Sequence, residues 1–173
     1  MVGITNRVTQ PRVRKGVLVV HVIASVALLG EVWGLVVLNT VATVTDDLGL
    51  AHAAYRLMPS LVFAGGIPLS LTALATGITL ALTSHWGLAR HYWVLAKLVL
   101  LVSVICLGMF LFDPEGMAAA TAGATRPVEG RQWGQVAVLG GQLAMLLTAT
   151  TLSVLKPRGR VRQIPRKAAG RAR

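Results

Sequence analysis

The chain has 173 residues, 54% of them hydrophobic and 13% charged, with a mean hydropathy of +0.67, which is more apolar than a water-soluble domain of this size. Seventeen basic residues against six acidic ones give a formal charge of +11. The bases gather at the two ends, and no aromatic residue interleaves with them after Trp133, which argues against nucleic-acid binding. The single Cys106 excludes an intramolecular disulfide and a cysteine metal cluster.

A basic segment, residues 1–15, carries Arg7, Arg12, Arg14 and Lys15. Four unbroken apolar blocks follow, at Gly16–Thr43, Pro59–Thr83, Tyr92–Phe112 and Gly134–Leu155. Each reaches the about 20 residues that a helix needs to cross a bilayer, and none alternates as a membrane strand would. The first block is too long for the core of a secretory signal and reads as an uncleaved span. The predicted fold is all-α, a polytopic membrane four-helix bundle over 16–155 with a basic tail, residues 156–173. The loop from Asp113 to Trp133 and the tail are each too short to bury a core alone.

Orientation follows from the flanking charges. Eight bases lie in the tail and Arg90 lies between the second and third blocks. Five of the six acids, Asp46, Asp47, Asp113, Glu115 and Glu129, lie in the other two connections. This distribution predicts a multi-pass protein of the cell (inner) membrane with both termini cytoplasmic, N-in/C-in. The tail bases are suited to anionic lipid headgroups as well as to fixing topology.

Small residues recur every four positions at Gly66 and Ser70, at Ala73, Gly77 and Ala81, at Gly140, Ala144 and Thr148, and as a Gly30/Gly34 pair. They predict close helix packing, either within the chain or between two copies. Pro68 removes a backbone donor and leaves the carbonyl of Ala64 without its usual partner, so the second span is expected to be irregular there. Trp86, Tyr92, Trp93 and Trp133 read as interfacial anchors, with Trp33 inside a span.

Ionisable side chains within spans face the bundle or a wet cavity and mark function. Three stand out: His21, Glu31 and Lys97. His21 and Lys97 each lie five residues into their blocks from the cytoplasmic end and so are expected at one depth. Together they suit an anion grip, a metal centre or proton movement. The plainer alternative is that Lys97 snorkels and His21 bonds a backbone carbonyl. Glu31 lies about 15 Å further along the first helix and about 80° around it. Gln142 is a candidate hydrogen-bond donor to it, which leaves a protonated structural carboxyl, a proton relay or an ion site. His52 and His85 read as loop histidines, whereas His91 can approach the cytoplasmic-side site. The sequence carries no phosphate loop, nucleophile elbow or zinc helix, and its five Met residues form no copper ladder.

The runs Lys15–His21, Ser25-Val26 and Leu29-Gly30, then Trp86–Leu98, then Thr150–Gly159 resemble a group of small actinobacterial four-helix integral membrane proteins of unknown function, with all four spans in order. More distantly, a first-helix histidine with a third-helix lysine resembles the HemJ-type protoporphyrinogen oxidases and copper-resistance-D-like membrane proteins. That resemblance implies a haem or porphyrin pocket with His21 and Lys97 as its residues. The second and fourth blocks hold no histidine, so a haem would draw on His21, His91 or a second copy. The expected functions are thus a cytoplasmic-side redox or haem/porphyrin pocket, a non-catalytic accessory subunit or homo-oligomer with a membrane-protein partner, or a small transporter or proton path using Glu31.

Overall fold

The computed structural model describes residues 11–83, 92–123 and 129–155, which are helical apart from short turns, with no strand among them. Helix α1 spans Pro11–Val44, α2 Leu48–Leu61, α3 Ile67–Leu82, α4 Tyr92–Phe110, α5 Pro114–Thr121 and α6 Glu129–Leu155, with a π-helical turn at Val62–Gly66 joining α2 to α3. Four stretches, Arg12–Val44, Leu48–Leu82, Tyr92–Thr121 and Gly130–Leu155, are long and apolar enough to cross a membrane.

The termini of these helices have local causes. Pro11 opens α1, where its missing N–H costs nothing. Asp47 caps α2 by accepting from the N–H groups of Gly49 at 2.8 Å and Leu50 at 3.1 Å. The second span therefore begins eleven residues before the expected Pro59, and His52 lies within a helix. Helix α5 corrects the expectation of a loop after Asp113: Pro114 occupies its first turn and Asp113 caps it, accepting from Gly116 N–H at 2.9 Å. Gln135 of α6 holds the break between α4 and α5, accepting from Asp113 N–H at 2.9 Å and donating to the Leu111 carbonyl at 3.2 Å.

The irregularity expected at Pro68 takes the form of the π turn. The N–H of Ile67 reaches back five residues to the Val62 carbonyl, and Pro68 has no N–H to give. The carbonyl of Phe63 consequently has neither an i+4 nor an i+5 donor.

Helix α1 packs along α3 and α6, and α4 packs along α6 and α3, closing a four-helix ring, while α2 and α5 pair at the end of the bundle where α1 finishes. The buried stripe of α1, Ala24, Leu28, Val32, Leu35, Asn39 and Ala42, repeats at three- and four-residue spacing. It feeds two cores, one of Leu28, Val32, Val104 and Leu146, the other of Leu35, Ala42, Ala51, Ala54, Tyr55, Met58, Met117 and Leu139. Only 17% of the most apolar stretch of the first and fourth candidate spans, and 6% of that of the second and third, is buried inside the bundle. Ile23, Val26, Trp33, Phe63, Met109 and Phe110 point outward. The apolar surface thus faces the surroundings more than the interior, the reverse of a water-soluble bundle.

The small-residue stripes divide accordingly. Ser70 and Ala73 are buried on the face of α3 turned to α1, and Gly66 and Gly77 meet side chains of α1 there. A Cβ added at Gly30, Gly34 or Gly140 would meet nothing within 4 Å, so among the described residues these glycines make no close helix contact.

Candidate functional site

Polar side chains of α1 meet α3 at two levels. At the first, His21 Nδ1 lies 3.1 Å from the carbonyl oxygen of Ala73 and 3.0 Å from Thr76 Oγ1. Thr76 spends its own proton on the Thr72 carbonyl at 2.6 Å. A carbonyl only accepts, so Nδ1 is the donor, and the neutral ring keeps its lone pair on Nε2. Gly77 makes room for this ring, because a Cβ there would stand 3.1 Å from His21 Cε1. The bond from His21 to a backbone carbonyl across helices is therefore present, with Thr76 as a second acceptor.

Lys97 projects from α4 toward α6. Its Nζ donates to Ser153 Oγ at 3.1 Å and lies 4.5 Å from the centre of the Trp93 ring. His21 and Lys97 are thus anchored to different helices, the one to α3 and the other to α6.

At the second level, Glu31 faces the π turn. A Cβ on Gly66 would sit 2.9 Å from Glu31 Oε1 and 3.2 Å from Oε2, and one on Gly65 would sit 3.5 Å from Cγ. Oε1 is enclosed and has no hydrogen-bond partner. The donor expected for it, Gln142, points elsewhere: its Nε2 donates to the Val104 carbonyl at 2.8 Å, in space left by Gly108. The rotation of α6 that buries Leu139 and Leu146 turns Gln142 toward α4. Glu31 is thus seated in a groove walled by two glycines, beside the one stretch of the span where helical hydrogen bonding is broken.

His52 corrects the reading of a solvated loop histidine. Its Nδ1 lies 3.1 Å from the Ala118 carbonyl and 3.0 Å from Thr121 Oγ1, and Thr121 donates to the Met117 carbonyl at 3.0 Å. The geometry duplicates that of His21. The sequence signal is a repeated tetrapeptide, Ala73-Leu-Ala-Thr76 and Ala118-Ala-Ala-Thr121, which places a carbonyl and a hydroxyl one helical turn apart for a histidine on a neighbouring helix.

A haem requires an axial nitrogen standing over an open macrocycle face. The His21 ring lies in the α1–α3 seam, with Nε2 4.0 Å from where a Cβ on Gly77 would stand. No group of three or more His, Cys, Asp or Glu side chains converges among the described residues. His91 and His85, together with the basic segments 1–10 and 156–173, lie outside the described residues. In comparisons with known proteins, no family model, no curated protein and no solved structure matches this chain.

Proposed function

We propose that the chain is a multi-pass membrane protein of the cell membrane, both termini cytoplasmic, that handles protons at Glu31. The observation that carries this reading is the Glu31 carboxyl, enclosed at Oε1, without a hydrogen-bond partner, and set against a glycine-walled π turn. A carboxyl in the middle of a span costs a few kcal/mol on insertion scales and is retained where it moves charge. Broken backbone beside it is the setting in which membrane proteins line a polar site. His21, about 15 Å nearer the cytoplasmic end, supplies an acceptor nitrogen at Nε2, with hand-over between the two requiring water.

The test is proton flux in vesicles carrying the reconstituted protein and a trapped pH-sensitive dye. Glu31→Gln keeps the shape and removes the titration, and is expected to abolish flux; wild-type flux in that variant rejects the reading. Orientation is tested separately with Cys106→Ala protein carrying Thr5→Cys or Gln163→Cys. An impermeant maleimide added to whole cells should label neither site, and labelling of one alone overturns the two-cytoplasmic-ends arrangement. A homo-oligomer is the second reading, supported by the outward Gly30/Gly34 face of α1.

A further inference from the structure

Two of the largest fully buried side chains in the bundle are polar. Asn39 and Tyr55 are both 0% exposed. Asn39 sits on the buried stripe of α1, one turn from Leu35 and one from Ala42, and both of these share a core with Tyr55, Met58, Met117 and Leu139. Three polar atoms in this region, Asn39 Nδ2, Asn39 Oδ1 and Tyr55 Oη, have no hydrogen-bond partner. Groups of this kind left dry forfeit their full hydration, and proteins almost always satisfy them. The neighbouring side chains do not do so: the core around Tyr55 is aliphatic or thioether, and the Thr43 hydroxyl directs its proton to the Asn39 backbone carbonyl at 2.8 Å.

We propose that Asn39 and Tyr55 hold a small enclosed water cluster between α1 and α2. Water is the ligand whose chemistry fits. It can donate to Asn39 Oδ1 while accepting from Asn39 Nδ2 or exchanging a bond with Tyr55 Oη, and buried waters typically make about three such bonds. A cation is disfavoured because no residue of the core cluster around Tyr55 is a carboxylate, and an apolar guest would leave the same three atoms unmet. The cluster lies two turns beyond Glu31, about 12 Å along α1, with His52 one turn before Tyr55 on α2. It lies between the π turn and the α1–α2 turn, and it stands whether or not Glu31 carries protons.

Asparagine labelling isolates the site, because the chain contains only Asn6 and Asn39. Water-edited solid-state NMR of the 15N-asparagine protein in lipid should transfer magnetisation from water to the Asn39 side-chain amide. Transfer to Asn6 alone overturns the proposal. Tyr55→Phe deletes one oxygen without changing shape, and the sign of its effect decides the matter independently. A hydroxyl bound to water makes the variant melt lower, by about 2–4 °C for each roughly fivefold loss in the folding equilibrium in a chain of this size. A dry hydroxyl makes it melt at the same temperature or higher, which again overturns the proposal. A dry Asn39 with intact, Glu31-dependent flux rejects the water cluster alone, whereas a wet Asn39 without flux rejects the proton reading alone.

Discussion

Gly77→Ala tests whether His21 is held as tightly as its contacts imply. In an open helix the change is favourable, because alanine is preferred over glycine by up to about 1 kcal/mol. Here the new methyl would stand 3.1 Å from His21 Cε1, so the ring must retreat by a few tenths of an ångström. It is pinned at Nδ1 to the Ala73 carbonyl at 3.1 Å and to Thr76 Oγ1 at 3.0 Å, and retreat stretches both bonds. Overpacking of this kind costs about 1–3 kcal/mol, so the expected balance is a net loss of about 1 kcal/mol. Reversible unfolding in mixed micelles measures it, with Gly34→Ala as the reference, since a methyl there meets nothing within 4 Å. The penalty should vanish in a His21→Ala background, where the obstacle is gone. Equal effects at positions 77 and 34, or a penalty that survives His21→Ala, would refute the reasoning.

Gly66→Ala places a methyl 2.9 Å from Glu31 Oε1 and is expected to reduce proton flux in vesicles while leaving helicity by circular dichroism unchanged. Thr76→Val and Thr121→Val each remove the hydroxyl from one histidine anchor, and equal losses of about 0.6 kcal/mol are expected in unfolding titrations; a marked inequality would show that the two anchors differ in more than position. Asp47→Ala and Asp113→Ala each remove a helix cap and should cost about 1 kcal/mol. Arg131→Ala, which breaks a 2.7 Å pair with Asp113 whose partners are about half exposed, should cost under about 1 kcal/mol and less still in high salt.

The four apolar helices were legible because bilayer-length blocks need no tertiary information, and Pro68 announced the broken stretch because it lacks a donor wherever it sits. The early start of α2 was obscured by His52, Arg56 and Ser60, which dilute the apolar signal, and by Pro59, which reads as a boundary but lies inside the helix. Asp47 was the available clue, a capping residue immediately before a run of helix formers. Asp113-Pro114 carried the same signal for α5. Spacing identified Gly30/Gly34 and Gly66/Ser70 as faces, but which face meets a neighbour depends on how each helix rotates in the bundle. The same rotation sent Gln142 to Val104 rather than Glu31. Lys97 and His21 fell at a common end as counted from the block boundaries, yet their partners, Ser153 and Ala73 with Thr76, come from helices that only the fold brings near.

A π turn accommodates one residue more than an α turn does. Between Tyr55, which faces the core, and Ala73 and Gly77, which face α1, this surplus is absorbed within Val62–Gly66, so neither flank is twisted out of alignment. The extra residue opens the recess for Glu31 while the helix on either side keeps its own contacts. Deleting Gly65 is the reverse experiment: it should close the recess and straighten the rod without unseating His21.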